Sequence, residues 1–180
     1  MKNLKNILGL ILTIIILAST TAYAQEQKIK FNKDTYILKD YTEKPSEYEY
    51  FTNGETPENW HSKITLSNHP NLTNETEAAA EYAHKIQEQT PGASVLVLPD
   101  VAMAEYITFP TTRDYYEYNA LIFKPSKTKG LDMFKFSKRF YAAELNGTEE
   151  ARKKAIDFAE KNNKKYMELV IKEAPKYKVD

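Results

Sequence analysis

The chain has 180 residues and no cysteine, and its 25 basic and 25 acidic side chains give a formal net charge of zero. The absence of cysteine excludes disulfides, a thiol nucleophile and a metal held by thiolates. The charge balance argues against a dedicated nucleic-acid-binding protein, because such proteins normally carry a basic excess. A chain of this length suits one domain of common size.

Residues 1–24 have the composition of a secretory signal peptide. Two lysines precede an apolar run over residues 7–17, and residues 22–24 read Ala-Tyr-Ala, a small-x-small cleavage sequence. This pattern predicts cleavage after Ala24 and a periplasmic or secreted protein. The apolar run is short for a membrane span and no second run follows it, so we expect a soluble mature chain without a membrane span. Export without cysteine suits a bacterial periplasm or the culture medium.

The first residues after the leader, 25–44, contain two short segments in which apolar and polar residues alternate. Ile29 and Phe31 belong to the first, and Tyr36 and Leu38 belong to the second. The period of two predicts either edge strands or one strand with an irregular N-terminal arm. We then expect a single α+β domain over residues 45–180.

Residues 48–66 predict two strands joined by a loop rich in turn-forming residues. Asn-Gly at residues 53–54 is a strong turn signal. In the second strand, Trp60 is expected to share a face with Ile64 and Leu66. The Trp60 side chain would either fold over a ligand or fill the core, and the core position is favoured.

The next elements predicted are a helix and a buried strand. Apolar residues recur at three- and four-residue spacing from Ala78 to Ile86, which predicts a helix that Thr73 or Asn74 caps and that ends before Pro91. Residues 93–98 (ASVLVL) are continuously apolar and predict a central strand buried on both faces. The segment that follows, up to residue 110, fits either a strand or a turn of helix.

The densest apolar and aromatic segment lies between Tyr115 and Tyr141. Alternate side chains of residues 116–122 are apolar, and the same period returns at Phe134, Phe136 and Phe140, with Lys135, Ser137 and Arg139 in the opposite phase. The segment from Pro125 to Gly130 separates the two patterns, so a β-hairpin is predicted.

The last predicted element is a long helix, with Thr148 as its N-cap and its end near Glu173, before Pro175. Its apolar residues share one broad face, which must pack on another element. The order of the elements predicts an α+β fold, in which a mostly antiparallel sheet of about 5–7 strands carries two main helices in a single domain.

Basic and aromatic residues cluster on the predicted hairpin, and Tyr115, Lys135 and Arg139, together with Trp60, are the candidate ligand-binding residues. Such a cluster can bind an anionic polymer or a lipid headgroup. The alternative is that lysines keep a loop and an edge strand from aggregating. The partner expected is an unknown protein or an anionic ligand of the cell envelope, and no nucleic acid.

No catalytic motif is present in the sequence. GxSxG, HExxH, GxGxxG and the P-loop pattern are all missing, so no catalytic residue, metal or cofactor is predicted. His61, His69 and His84 lack the spacing of a local metal site. The alternative function is a hydrolase or a metal-dependent enzyme, whose site would be assembled from distant His, Asp and Glu residues.

Two stretches, YFTNGETPENW and EYNALIFKPSKTKGLDMFKFSKRFY, resemble those of uncharacterised exported proteins of Gram-negative bacteria. Over residues 45–173, the order of elements is also similar to the PsbP-like α/β sandwich, a fold used mainly by noncatalytic accessory proteins. This resemblance carries no catalytic residue with it. We therefore expect an exported, noncatalytic binding or accessory module of the bacterial periplasm.

Overall fold

A computed structural model describes residues 27–44 and 46–179, in which eight strands form one antiparallel sheet that carries two α-helices. The predicted signal peptide, residues 1–24, lies outside the described residues. The elements are β1 Lys28–Phe31, β2 Asp34–Thr42, β3 Glu47–Thr52, β4 Ser62–His69, α1 Glu75–Gln89, β5 Ser94–Leu98, β6 Met103–Thr108, β7 Tyr115–Pro125, β8 Leu131–Tyr141 and α2 Thr148–Glu173.

The strands lie in the order β1-β2-β3-β4-β8-β7-β6-β5. The predicted α+β class is confirmed, as are the antiparallel sheet and the two helices. The predicted range of about 5–7 strands is too low, because residues 28–42 supply two strands and residues 103–108 supply another. Strand β1 forms one edge of the sheet, whereas β2 lies inside it, between β1 and β3.

The predicted hairpin is confirmed, and it occupies the middle of the sheet. Strands β7 and β8 pair from Tyr115 opposite Tyr141 to Pro125 opposite Leu131, and β8 also pairs with β4 along its length. Neither strand of the hairpin is an edge. The suggestion that Lys135 and its neighbours protect an exposed edge strand is therefore wrong.

One face of the sheet packs against α2 and is aromatic. The Phe136 ring stacks between Phe31 of β1 and Tyr166 of α2, with ring centroids 5.1 and 4.6 Å away. The Tyr118 ring meets both Phe136 and Tyr166 edge-on. Because these rings come from both ends of the chain, the contact fixes α2 and the N-terminal strand on the same face.

The opposite face is covered by helix only in part. Ala78, Ala79 and Ala83 of α1 pack against Leu121 and Phe123 of β7, and their small side chains let the helix approach closely. Helix α1 packs mainly on β5, β6 and β7. The strands β2, β3 and β4 and the second half of β8 carry other side chains on this face, which are described below.

Strand β5 contradicts the expectation of a central strand buried on both faces. It is the last strand of the sheet and pairs only with β6. Val95 and Val97 pack against α1, whereas Leu96 on the other face is 46% exposed. Continuous apolarity indicated burial, but the position of a strand in a sheet depends on pairings that its own sequence does not encode.

Trp60 also lies on a different face from the one predicted. Strand β4 begins only at Ser62, so Trp60 belongs to the preceding loop and does not follow the alternation of Ile64. Its ring packs near Phe51, with centroids 6.3 Å apart, and Trp60 is 1% exposed. The favoured buried position is therefore correct, although the face is not.

The start of α1 agrees with its prediction, since the Asn74 side chain accepts a hydrogen bond from the Glu77 amide. Helix α2 differs, because Gly147 occupies the N-cap position and the predicted cap, Thr148, is its first helical residue. Of the described helices, none is long and apolar enough to cross a membrane.

Replacement of Phe136 by alanine tests the aromatic packing between β8 and α2. The ring is 2% exposed, so Phe136→Ala should lower the free energy of unfolding by about 3–5 kcal/mol in denaturant melts. Ile171 of α2 is 41% exposed, and Ile171→Ala should cost less than about 1 kcal/mol. Equal losses in the two variants would contradict this packing.

Candidate functional site

The part of the second sheet face that lies beyond α1 is lined by polar side chains of β3, β4, β7 and β8. We call this surface the polar face. Its cross-strand pairs follow the register of the sheet, and some of its polar groups, such as Thr65 and Ser137, are fully buried. It consists of Glu47, Glu49, Lys63, Thr65, Ser67, Glu117, Asn119, Lys135, Ser137 and Arg139, bordered by Trp60 and Tyr115.

Arg139 lies between two aromatic rings at one end of the polar face. Its guanidinium carbon is 3.9 Å from the ring centroid of Trp60 and 4.0 Å from that of Tyr115. Arg139 Nε also donates to Glu117 Oε2 over 2.9 Å. Burial alone would lower the pKa of Arg139. Glu117 and the hydrogen bond with Tyr141 raise this pKa by more than burial lowers it, so the side chain stays charged. A guanidinium held in this way keeps both rings in a fixed orientation.

Lys135 points to the same face, four residues before Arg139 on β8. Its ammonium group lies 3.5 Å from the Tyr82 hydroxyl of α1, and the hydroxyl of Tyr106 lies 3.5 Å beyond that. Burial lowers the pKa of Lys135, but Tyr82, Glu117 and Glu47 raise it above its ordinary value. Lys135 is therefore a protonated amine whose direct hydrogen-bond partner is a hydroxyl group and not a carboxylate.

The other cations of this surface are already neutralised by carboxylates. Arg139 is paired with Glu117, and Lys63 is paired with Glu49 while its ammonium also lies 4.7 Å from the Trp60 ring centroid. Among the ion pairs of the described residues, none includes Lys135. Lys135 is thus the cation of the polar face that is left to meet an anion.

A hydroxyl without a partner lies opposite Lys135. Thr65 is directly across from Lys135 in the pairing of β4 with β8, and its Oγ1 atom is buried without a hydrogen-bond partner. The adjacent polar groups are satisfied, since Ser137 Oγ donates to Asn119 Oδ1 over 2.6 Å. A buried hydroxyl without a partner is uncommon in folded proteins. Thr65 therefore places a buried hydroxyl without a hydrogen-bond partner directly across from Lys135 in the β4–β8 pair.

His61 connects the loop before β4 to the segment after β8. Its Nδ1 atom lies 3.1 Å from Glu55 Oε1, and its Nε2 atom lies 2.9 Å from Glu144 Oε2. The hydrogen bond to Glu144 raises the pKa of His61, as does the bond to Glu55, and together they outweigh the effect of burial. Because His61 follows Trp60 directly, this contact fixes the loop that holds the tryptophan.

The three histidines do not converge. His61 and His69 lie at opposite ends of β4, and His84 pairs with Glu88 on the exposed side of α1 at 3.2 Å. Within residues 27–44 and 46–179, no group of three or more His, Cys, Asp or Glu could hold a metal ion.

A serine and a histidine are adjacent at the end of β4, where Ser67 Oγ lies 3.0 Å from His69 Nε2. This is the distance expected of a nucleophile and its base. However, Ser67 is 0% exposed, so a substrate carbonyl cannot reach its hydroxyl in this arrangement of side chains. The alternative function as a hydrolase gains no support from this pair.

Of the four candidate residues, the structure brings Trp60, Tyr115 and Arg139 into contact and places Lys135 farther along the same strand. Sequence reasoning missed Tyr82, Glu117 and Thr65. Glu117 has a signal in the sequence, because it alternates in phase with Tyr115 and faces Arg139 across the hairpin. Tyr82 and Thr65 have no such signal in the sequence, because they reach the polar face through contacts between distant segments.

A family model matches residues 23–174, and the chain therefore belongs to that family, an uncharacterised family of bacterial proteins. Searches of curated proteins and of solved structures each returned no match. The similarity to the PsbP-like sandwich stays a prediction. The role of the protein is accordingly argued from the geometry of its surfaces.

The contact at His61 predicts a pH-dependent contribution to stability. Because the folded pKa is raised, the contribution is complete below the unfolded pKa of about 6.5 and is lost as the pH rises through the folded value. His61 is 44% exposed, so screening should keep the effect below about 1 kcal/mol. His61→Gln should therefore cost more unfolding free energy at about pH 5.5 than at about pH 9.

The partner carboxylate provides the control for this prediction. Glu144→Gln removes the partner that raises the pKa of His61 most, so it should abolish most of the pH-dependent difference in urea melts. An unchanged difference in Glu144→Gln would show that another group causes it.

Proposed function

We propose that the protein is an exported, noncatalytic binding or accessory module of the bacterial periplasm, and that its polar face binds an anionic group at Lys135. The observation that carries the proposal is a half-buried lysine that belongs to none of the ion pairs within residues 27–44 and 46–179 and lies directly opposite a buried threonine hydroxyl without a hydrogen-bond partner. An anion at this position would accept a hydrogen bond from Lys135 directly, and because Thr65 is 0% exposed, it would reach the threonine hydroxyl only after neighbouring side chains move aside.

The expected affinity of the anion site follows from these two donors. A hydrogen bond that involves a charged group contributes about 1.5–3 kcal/mol. Two of them correspond to dissociation constants between roughly 6 mM and 40 μM for a small anion that reaches both donors. A free ion would therefore bind weakly, and a physiological ligand must gain further contacts from the surface around Lys135.

The aromatic end of the polar face supplies such contacts. Lys135 and Arg139 lie four residues apart on one strand, which places their Cα atoms about 13 Å apart. Tyr115 is partly exposed at that end and, with the Arg139 guanidinium against it, offers a flat surface for stacking. This separation favours an extended ligand of the cell envelope. Its anionic group would bind at Lys135, and its other end would stack on Tyr115.

The leader sequence supports export. The basic, apolar and small-residue segments of residues 1–24 predict cleavage after Ala24. The family match begins at residue 23, beside that cleavage position, which supports a leader outside the part that the family shares.

Fractionation of bacteria that express the whole chain tests the export proposal. The protein recovered from the periplasm or the medium should begin at Gln25 by N-terminal sequencing. A protein that stays in the cytoplasm with Met1 intact would contradict export, whereas it would leave the binding proposal to be tested separately.

Thermal melting of the mature chain, residues 25–180, tests the anion site. Sulfate, phosphate and acetate are each added up to about 50 mM, against sodium chloride of the same ionic strength. Binding to the native state raises the melting temperature by mass action. Lys135→Met should abolish the rise because it removes the cation while keeping an unbranched side chain of similar length.

Lys138→Met is the matched control, since Lys138 lies on the same strand but faces Phe140 and Phe158 on the α2 side. It should keep the response of the wild type. A rise with sulfate and phosphate alone would indicate a phosphate-like ligand, and a rise with acetate would indicate a carboxylate. No rise in the wild type, or an equal rise in Lys135→Met, would overturn the anion site.

A further inference from the structure

Strand β5 is an edge strand that lacks the usual protection. Its five residues, SVLVL, contain no charge and no proline, although natural proteins commonly place one or the other on an exposed edge. Apart from its pairing with β6, the described backbone of residues 94–98 makes no main-chain hydrogen bond. Its outward amide and carbonyl groups are therefore available to another strand.

The opposite edge of the sheet is protected. Strand β1 carries Lys28 and Lys30, and the Tyr177 hydroxyl lies 3.2 Å from both the amide nitrogen and the carbonyl oxygen of Lys30. The C-terminal segment thus covers this edge and leaves β5 as the edge open to strand addition.

A cavity of about 170 Å³ lies beside β5, where β5 and β6 meet α2. Leu96, which is 46% exposed, forms part of the rim of this cavity. Ile107 and Ala159 add apolar side chains to its walls. Its charged lining residues are Glu105 and Glu160, and no basic side chain lines it. The cavity is therefore apolar at its sides and acidic.

The carboxyl group inside the cavity has one oxygen without a hydrogen bond. Glu105 is 7% exposed, and its Oε2 atom is buried without a hydrogen bond. The nearby hydroxyl of Tyr118 is also buried without one. Burial raises the pKa of Glu105. The adjacent Tyr118 hydroxyl offsets part of this rise. A buried carboxyl oxygen without a hydrogen bond is still costly, and a cationic donor that entered the cavity would remove that cost.

We infer that β5 is a docking edge for an extended segment of a partner protein, and that a lysine or arginine of this segment enters the Glu105 cavity. An added strand would extend the sheet through main-chain hydrogen bonds, with alternate side chains directed toward α2. Leu96 lies opposite Glu105, so a residue added beside Leu96 lies about 9.6 Å, two strand spacings, from Glu105. Only a long side chain spans that distance, and a lysine stem suits the apolar walls.

A second copy of this chain does not fit the cavity. If β5 paired with another β5, the side chains available on the α2 face would be Ser94, Leu96 and Leu98, none of which is basic. The Oε2 atom of Glu105 would then remain without a hydrogen bond. The charge of the cavity therefore selects a basic segment from a different protein.

Two capped nine-residue peptides test this inference on the mature chain. Each alternates threonine and valine, and the central residue is lysine in one and norleucine in the other. Isothermal titration should show that the lysine peptide binds at least about tenfold more tightly. Glu105→Gln, which keeps the shape of the side chain, should abolish that preference, and Leu96→Lys should weaken both peptides by placing a cation at the rim.

The polar face provides the control, since Lys135→Met should leave the peptide affinities unchanged. Equal affinity of the two peptides for the wild type would overturn the inference, as would a preference for lysine that persists in Glu105→Gln. A concentration-dependent dimer that Leu96→Lys disrupts would assign the edge to a second copy instead. If Glu105→Gln fails to fold, the affinities of the two peptides for the wild type and for Leu96→Lys still test whether the edge binds a lysine-containing strand.

Discussion

The register of β8 between β4 and β7 is the constraint on which the rest of the structure depends. Its alternation directs Phe134 and Phe136 toward α2 and directs Lys135, Ser137 and Arg139 toward the opposite face. Because the side-chain period of a strand is two, a slip of one residue would exchange these sets and bury three polar groups among aromatic rings. Pairing on both sides of β8 prevents that slip, and the same pairing determines where the polar face lies.

The two sites proposed here share one physical origin, which is a buried polar atom that the protein itself does not satisfy. The Thr65 hydroxyl lies opposite Lys135 on the polar face, whereas Glu105 and Tyr118 lie on the α2 face. One site presents donors and a positive charge, and the other presents a carboxyl group. They therefore select ligands of opposite charge on opposite faces, and they can be occupied independently.

The sequence predicted most of the local structure, because local structure follows from local patterns. The hairpin was readable from the two phases of residues 116–140, and α1 was readable from its alanines and the Asn74 cap. The position of β5 at an edge was not, because continuous apolarity does not distinguish an edge that faces a cavity from the centre of a sheet. Of the candidate site, Arg139 and Tyr115 lie on one hairpin and could be predicted together. Thr65 and Tyr82 could not, since they reach Lys135 only through the pairing of β4 with β8 and the packing of α1.

The central claim is that the polar face holds an anion between Lys135 and Thr65. Crystals of the mature protein soaked in selenate test it most directly, because the anomalous signal of selenium locates the anion without assumptions about the ligand. We expect selenate oxygens within about 3 Å of both Lys135 Nζ and Thr65 Oγ1, and loss of this site in crystals of Lys135→Met. Selenate bound only at exposed lysines, with the Thr65 hydroxyl satisfied by the protein itself, would contradict the claim.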